Sequence, residues 1–120
     1  MRIGSVSEDK NLEKRIAVTP EIIKKYKSLG FEISLSENYG SHLGIKDDQY
    51  EDMGAKISKN ETEILHSSDI IVQLSMLSDE KISKIKENQT IIGVLNPYSN
   101  KEKLENLEKK KINLFSLELL

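Results

Sequence analysis

Residues 69–74 read Asp-Ile-Ile-Val-Gln-Leu, and this stretch decides the class of fold. It is rich in β-branched residues and almost continuously apolar, which is typical of a central parallel strand that is covered on both faces. Parallel sheets of this kind occur in proteins whose strands alternate with helices. We therefore expect the flanking sequence to show that alternation.

The amino-terminal part of the chain predicts a strand, a helix and a second strand. Arg2 to Ser5 is a short strand candidate, and residues 31–35 alternate apolar and polar side chains as a strand does. Between them Thr19 is predicted to cap a helix, Pro20 suits its first position because no needed donor is lost, and Gly30 ends it. The helix presents an apolar face formed by Ile22, Ile23, Tyr26 and Leu29.

The same rhythm continues along the rest of the chain. Asn60 and Glu63 resemble a capping box, and Gly54 is placed to close the preceding helix. This alternation predicts an α/β protein with a flavodoxin-like (Rossmann-like), mostly parallel sheet and helices on both faces. We predict helices over residues 47–53, 60–65, 78–86 and 100–109, and further strands over residues 55–57, 69–74, 90–95 and 112–117.

Length and composition exclude several classes of protein. The 120 residues make one domain at most, because single domains usually contain about 100–200 residues. The 18 basic and 20 acidic side chains give a formal charge of −2, which argues against a nucleic-acid partner. No apolar stretch approaches the roughly 18–20 residues of a membrane span, and the start lacks the apolar core of a secretory signal. The absence of cysteine excludes thiol chemistry, and a cytoplasmic polypeptide is the default expectation.

Histidines and glycines give no sign of a catalytic, metal or phosphate site. No helical or hairpin spacing joins His42 and His66, so each is expected to be solvated and no metal site is expected. A dinucleotide-binding turn needs G-x-G-x-x-G, but the first strand contains one glycine, Gly4, and Gly40 and Gly44 have the wrong spacing. If the protein uses NAD, the cofactor is therefore expected to lie mainly elsewhere.

Arg15 is the candidate binding residue. It lies between the first strand and the first helix, and loops at the carboxyl ends of strands line the ligand crevice of α/β folds. A guanidinium group suits bidentate capture of a carboxylate or a phosphate. The alternative is a structural ion pair with Glu8, Asp9 or Glu13. The sequence leaves both interpretations open.

Dispersed motifs along the whole chain resemble one family. They are Met1-Arg2-Ile3-Gly4, Glu13-Lys14-Arg15-Ile16-Ala17-Val18-Thr19-Pro20, Gly30-Phe31-Glu32-Ile33, Gly54-Ala55-Lys56-Ile57 and Ser68-Asp69-Ile70-Ile71-Val72. In register, they resemble the amino-terminal domain shared by alanine dehydrogenases and the alpha subunit of proton-translocating NAD(P) transhydrogenase.

Two branches of that family differ at the ligand site. The resemblance to alanine dehydrogenases implies a pyruvate site with an arginine at Arg15, a lysine after the Asp69–Leu74 strand and a catalytic histidine after the Thr90–Leu95 strand. Arg15 matches, but Ser75 and Asn96 stand where the lysine and the histidine are expected. The transhydrogenase branch does not need these two groups, because hydride passes directly between two nicotinamides. The departures therefore favour that branch.

The resemblance implies that residues 1–120 form the amino-terminal domain of a transhydrogenase alpha subunit, truncated before its NAD-binding domain. It further implies NAD as the cofactor of the full-length protein, NADP on a partner component, a homodimer, and NADP-binding and membrane components as partners. The chain would then be cytoplasmic and peripheral to the inner membrane through its complex. Arg15 and Asn96 are the candidate cleft-facing residues, and no catalytic residue is assigned.

Two other functions stay open at this point. One is an amino-acid dehydrogenase domain of the alanine or saccharopine type with an altered pocket. The other is a non-catalytic module that keeps the fold for dimerisation or docking, which agrees with the missing dinucleotide turn.

Overall fold

The computed structural model describes residues 1–94 and 100–116, and there the chain alternates between strands and helices. The strands are β1 (Arg2–Ser5), β2 (Glu32–Ser36), β3 (Lys56–Ser58), β4 (Ile70–Gln73), β5 (Thr90–Gly93) and β6 (Asn113–Ser116). The helices are α1 (Pro20–Ser28), α2 (Asp47–Asp52), α3 (Glu61–Ser67), α4 (Asp79–Ile82) and α5 (Lys101–Lys109), with a short 3-10 helix at Ser41–Leu43. Leu95 and Leu117, the last residues of two predicted strands, lie outside the described residues.

The strands of the described ranges form one parallel sheet with the order β3-β2-β1-β4-β5-β6. The register aligns Ile3 of β1 with Ile33 of β2 on one side and with Ile70 of β4 on the other. From β1, the strands β2 and β3 are added on one side of the sheet. The chain then crosses back, and β4, β5 and β6 are added on the other side of β1. This doubly wound arrangement confirms the predicted α/β, flavodoxin-like (Rossmann-like) fold.

Helices cover both faces of the sheet, as predicted, and bury two apolar cores. β4 contributes to both, because Ile71 packs on one face while Ile70 and Val72 pack on the other. This double burial explains the nearly continuous apolar character of residues 69–74. The core of α3, α4 and α5 includes Ile64, Leu65, Ile82, Ile91 and Leu107, and the core of α1 and α2 includes Ile3, Val18, Ile23, Leu35 and Tyr50.

β1 and α3 approach each other too closely for a side chain at position 4. A Cβ atom added to Gly4 would lie 2.0 Å from the Oγ of Ser68 and 3.0 Å from the Cγ2 of Ile64. The Ser68 hydroxyl donates a hydrogen bond to the Ile64 carbonyl, so it is held at this point. Glycine therefore allows the central strand to pack directly against the crossover helix.

The buried side chain of Gln89 closes the carboxyl end of α3. Its Nε2 donates to the carbonyls of Leu65 and Ser68, each at 2.6 Å, and its Oε1 accepts from the amide of Lys86 at 2.6 Å. The last carbonyls of a helix have no partner within the helix, and an unpaired buried carbonyl is costly. Gln89 therefore stabilises the end of α3 from the start of β5.

A buried network of hydroxyl groups connects β1 to the core of α1 and α2. The hydroxyls of Ser5 and Tyr39 are 2.8 Å apart, and the ring of Tyr39 packs edge-on against Tyr50 with 5.7 Å between centroids. The Tyr50 hydroxyl donates to the Val18 carbonyl at 2.8 Å. Burial raises the pKa of Tyr39 to about 12 and also raises the pKa of Tyr50. Both phenols are therefore neutral across the physiological pH range.

The predicted helix over residues 78–86 is wrong in its length, because α4 ends at Ile82. The Ser83 hydroxyl donates to the Glu80 carbonyl, and the amide of Lys86 donates to the side chain of Gln89. Such bonds between side chains and nearby backbone compete with helical hydrogen bonds. Ile82 and Ile85 are nevertheless buried, as the sequence predicted.

Two details of α1 also differ from the prediction. Within the described structure the Thr19 side chain makes no capping hydrogen bond, although Pro20 takes the first helical position. Leu29 was predicted to belong to the apolar face of the helix, but it is 68% exposed. It lies after Ser28, the last residue of α1. Gly30 follows with a φ of +93°, in the left-handed conformation that was expected to end the helix.

The end of α5 yields a first prediction, because a lysine occupies a backbone position that suits glycine. Lys111 has a φ of +61°, and the Ile112 amide donates to the Leu107 carbonyl at 3.1 Å, as in a Schellman motif. Lys111→Gly should raise the free energy of unfolding by about 1 kcal/mol, because glycine adopts this conformation without a steric penalty. Urea denaturation measures the change. Glu105→Gly, at an exposed position in the middle of α5, is the control and should lower the free energy of unfolding by about 1 kcal/mol. A Lys111→Gly chain that is less stable than the wild type would contradict the geometry.

The buried phenol of Tyr39 yields a second prediction, on alkaline stability. Below about pH 10 the phenol is protonated in both the folded and the unfolded chain, so the stability is complete there. Between pH 10 and 12 the unfolded chain ionises first, which lowers the free energy of unfolding by up to about 2–3 kcal/mol. Urea denaturation at a series of pH values should show this loss in the wild type and a smaller loss in Tyr39→Phe. Ser5→Ala, which removes a hydroxyl partner but keeps the phenol, should retain the wild-type slope; equal slopes in all three chains would refute the prediction.

Candidate functional site

A crevice opens where the winding of the sheet reverses, between the carboxyl ends of β1 and β4. The chain leaves β1 towards β2 and leaves β4 towards β5, so the two connections diverge, and ligands of open α/β sheets bind at such points. The crevice encloses a cavity of about 310 Å³, at the lower end of the range for small-molecule sites. Its lining includes Ser7, Glu8, Asp9, Leu12 and Glu13 after β1, Gln73 at the end of β4, Ser75, Met76, Leu77 and Ser78 after β4, and also Lys81 and Lys103.

Gln73 joins the ends of the two strands that flank the crevice. The side chain is 2% exposed, and its Oε1 accepts from the amide of Val6 at 2.7 Å while its Nε2 donates to the carbonyl of Val6 at 3.1 Å. The Oε1 also accepts from the Ser5 hydroxyl at 3.1 Å. The amide side chain thus bonds to the backbone directly after β1 as a neighbouring strand would, and it fixes the separation of the two loops that follow.

Glu8 forms the acidic floor of the crevice. Its Oε1 accepts from the Leu74 amide and from Nε2 of Gln73 at 3.2 Å, and its Oε2 accepts from the Ser75 hydroxyl at 2.9 Å. Hydrogen bonds to an ionised acceptor are stronger than those between neutral groups. The loop after β1 and the loop after β4 are therefore held together through one carboxylate.

Two lysines and several apolar side chains complete the walls. The Lys81 ammonium donates to the Ser7 carbonyl at 3.1 Å and lies 3.5 Å from a carboxylate oxygen of Glu61. The Lys103 ammonium lies 3.5 Å from the Leu77 carbonyl and 4.0 Å from a carboxylate oxygen of Asp79. Apolar contact surface comes from Leu12, Met76 and Leu77.

Arg15 is not one of the residues that line the crevice, but it forms an ion pair with Glu13, which is one of them. The Nε–Oε1 distance is 2.7 Å and the Nη2–Oε2 distance is 3.0 Å, so the pair is bidentate. The Arg15 side chain is 76% exposed and that of Glu13 is 18% exposed. Hydrogen bonds with Arg15 lower the pKa of Glu13, and the same contact raises the pKa of Arg15. Of the partners that the sequence left open, the structure pairs Arg15 with Glu13; its role as a cleft-facing ligand residue stays a prediction.

Of the other residues that the sequence analysis singled out, the structure describes Ser75 and the two histidines but not Asn96. Ser75 lies in the crevice, whereas Asn96 falls outside the described residues, so its cleft-facing role also stays a prediction. His42 and His66 are both exposed, and the Nε2 of His42 lies 2.7 Å from the Lys14 carbonyl. In the part of the chain that the structure describes, no group of three His, Cys, Asp or Glu side chains could hold a metal ion, and no helix is long and apolar enough to cross a membrane.

Sequence reasoning missed Glu8 and Gln73, which organise the crevice. Gln73 carried a usable signal, because an uncharged polar residue inside an otherwise apolar buried strand needs a hydrogen-bond partner. Glu8 follows β1 directly and could have been placed at the carboxyl edge of the sheet on the same grounds as Arg15.

Comparisons with known proteins agree with this architecture. Residues 4–120 match the family described as Alanine dehydrogenase/PNT, N-terminal domain. The first part of the NAD(P) transhydrogenase alpha subunit of Rickettsia prowazekii is 31% identical over 124 residues, which cover 100% of this chain and 32% of that protein. Alanine dehydrogenase 1 of Staphylococcus aureus is 30% identical over 120 residues, which cover 100% of this chain and 32% of that protein.

A solved structure agrees over the same region. The crystal structure of transhydrogenase from Sinorhizobium meliloti matches with a TM-score of 0.93 and 27% identity, over 100% of this chain and 36% of that one. The chain spans about a third of the length of the curated relatives that it matches. The resemblance inferred from the dispersed motifs is confirmed: this chain belongs to the Alanine dehydrogenase/PNT, N-terminal domain family.

Proposed function

We propose that this chain is part of the NAD(H)-binding component of a proton-translocating NAD(P) transhydrogenase. In that role, hydride transfer from NADH to NADP⁺ is coupled to proton translocation by the complete assembly. Residues 1–120 form its amino-terminal domain and one wall of the nucleotide cleft, and a further domain of the protein supplies the grip on the diphosphate.

The observation that carries this proposal is the environment of Ser75. Ser75 stands where the alanine dehydrogenase branch is expected to have a lysine, and here its hydroxyl donates to the carboxylate of Glu8. A keto-acid substrate needs a cation or an acid at this point to neutralise its carboxylate or to polarise its carbonyl. A carboxylate-bound serine supplies neither, whereas direct hydride transfer between two nicotinamides requires neither.

The crevice fits one end of a nicotinamide nucleotide better than the other. The Leu74 amide and the Ser75 hydroxyl already donate to Glu8, so a diphosphate would meet a carboxylate instead of free donors. The apolar side chains of Leu12, Met76 and Leu77 suit an uncharged ring. Bound NADH would supply the hydride, and these residues would orient the ring and exclude water from it.

The proposal includes the partners and the location of the assembly. NADP lies on a separate component, the chain pairs with a second copy, and the complex is attached to the inner membrane through its membrane component. The chain itself is cytoplasmic and peripheral in this arrangement. Support comes from the relatives of which this chain covers about a third, since their names describe the first part of a transhydrogenase alpha subunit.

Alanine dehydrogenase activity is the second candidate. The position of Arg15 after β1 and the 30% identity to an alanine dehydrogenase favour it. It differs from the first candidate in requiring a site for the carboxylate of the amino acid.

The third prediction separates these two candidates. The complete protein that contains this chain, combined with its NADP-binding component, should exchange hydride between NADH and an NADP analogue and should not oxidise L-alanine with NAD⁺. Absorbance of the reduced nicotinamides measures both reactions. L-alanine oxidation without hydride exchange would replace the transhydrogenase proposal by the dehydrogenase. The absence of both reactions would favour the non-catalytic module.

The fourth prediction concerns the 120-residue chain alone. It should bind NADH very weakly, because the donors at the carboxyl end of β4 are already bonded to Glu8 and no glycine-rich turn is present in the sequence. Calorimetric titration with NADH measures the affinity. A submicromolar dissociation constant for NADH on this chain would show that the groups that bind the diphosphate lie within residues 1–120.

A further inference from the structure

The loop after β1 (residues 6–19) forms one wall of the crevice without a helix or strand of its own. Its start is held by hydrogen bonds with Gln73 and through Glu8, and near its end the Val18 carbonyl accepts a hydrogen bond from the core. Leu12 and Glu13, which also line the crevice, lie between these two fixed ends. The position of this part of the wall therefore depends on what holds the middle of the loop.

His42 makes the only hydrogen bond that reaches residues 11–16 from outside the loop, within the part of the chain that the structure describes. Its Nε2 lies 2.7 Å from the Lys14 carbonyl oxygen. Because a carbonyl oxygen only accepts, Nε2 carries the proton and donates it. Other hydrogen bonds of this segment are local, such as those from the amides of Leu12 and Glu13 to the Asp9 carbonyl.

The loop after β2 (residues 37–46), which carries His42, is itself firmly held. Tyr39 is buried in the core of α1 and α2, and the Asn38 amide donates to the carboxylate oxygens of Asp47, each at 3.0 Å. His42 follows within a short 3-10 helix. The imidazole therefore extends from an anchored loop to an exposed one, so it fixes the loop after β1 relative to β2.

Lys10 makes a reciprocal contact between the same two loops. Its ammonium donates to the Asn38 carbonyl at 2.8 Å and lies 3.4 Å from the Ser41 hydroxyl. A side chain of the first loop thus binds the backbone of the second, while His42 of the second binds the backbone of the first. The two contacts lie on either side of residues 11–13, the stretch that includes two residues of the crevice lining.

We infer that His42 is a positioning residue of the crevice, which holds the wall formed by Leu12 and Glu13 in place through the Lys14 carbonyl. This inference rests on the proposed function, because it takes the crevice as the nucleotide site of the chain. Without the hydrogen bond the loop adopts other positions, and the fraction of molecules with a complete wall falls. The apparent dissociation constant of a ligand rises by the inverse of that fraction. His42 lies outside the crevice lining, so it acts on binding and not on hydride transfer.

The fifth prediction concerns His42→Ala in the complete protein, combined with its NADP-binding component. In the hydride exchange assay the KM for NADH should rise by about two- to fivefold, the factor expected when one exposed hydrogen bond is lost. The kcat should stay at the wild-type value, because no reacting group is removed. His42→Gln, whose side-chain amide also donates a hydrogen bond, should restore the wild-type KM.

Limited digestion of the 120-residue chain with trypsin measures the loop directly. Arg15 is exposed, and cleavage after it requires the loop to leave His42, so the rate follows the population of the open loop. His42→Ala should be cleaved after Arg15 about two- to fivefold faster than the wild type, and His42→Gln at the wild-type rate. Fragment masses identify the site of cleavage. A general loss of stability would instead accelerate cleavage at the lysines of α1 and α5 as well.

His66→Ala is the matched control, because His66 is also exposed but lies in α3, away from both loops. It should leave the KM and the rate of cleavage after Arg15 at the wild-type values. An equal effect of His66→Ala overturns the inference, and so does His42→Ala with an unchanged KM or an unchanged rate of cleavage after Arg15. Failure of His42→Gln to restore either quantity also overturns it.

Failure of the proposed function gives a different result. If the complete wild-type protein does not exchange hydride, the transhydrogenase proposal is overturned, whereas the digestion of the 120-residue chain still decides whether His42 holds the loop. If hydride exchange is observed and His42→Ala behaves as the wild type in both measurements, the inference is overturned and the transhydrogenase proposal stands.

Discussion

The hydrogen bonds between Gln73 and the loop after β1 are the constraint on which the crevice depends. The backbone register pairs β1 with β4 at Ile3–Ile70 and Gly4–Ile71, and the Gln73 side chain then bonds to both the amide and the carbonyl of Val6. Because the connections diverge at this edge, a side-chain amide takes the place of a further backbone pair. Glu8 extends the same network to the next loop, so the chain's own hydrogen bonds hold the floor of the crevice together.

Most of the fold follows from local patterns in the sequence. The alternation of segments, the apolar run at residues 69–74 and the glycines at the ends of α1 and α2 predicted the parallel sheet and most element boundaries. The prediction fails where tertiary contacts or single polar side chains determine the end of a helix. α4 stops at Ile82 because Ser83 and Gln89 bond to nearby backbone, and helical periodicity carries no information about those bonds.

The candidate site was predictable only in position. A parallel sheet places the residues after β1 and β4 at one edge, so the neighbourhood of Arg15 and Ser75 could be expected. The partner of Arg15 could not, because Glu8, Asp9 and Glu13 precede it in one loop whose path decides among them. In the structure Glu8 lies at the floor of the crevice, and Glu13 forms the ion pair with Arg15.

The contact between β1 and α3 has a consequence for the divergence of this chain. Gly4 leaves no space for a methyl group next to Ser68, and the Ser68 hydroxyl is itself bonded to α3. Positions 4 and 68 are therefore under a joint constraint: a larger residue at one requires a smaller residue at the other. Homologous chains that carry alanine at position 4 are expected to lack the hydroxyl at position 68, with alanine or glycine there, so that the two sites covary although they are distant in sequence.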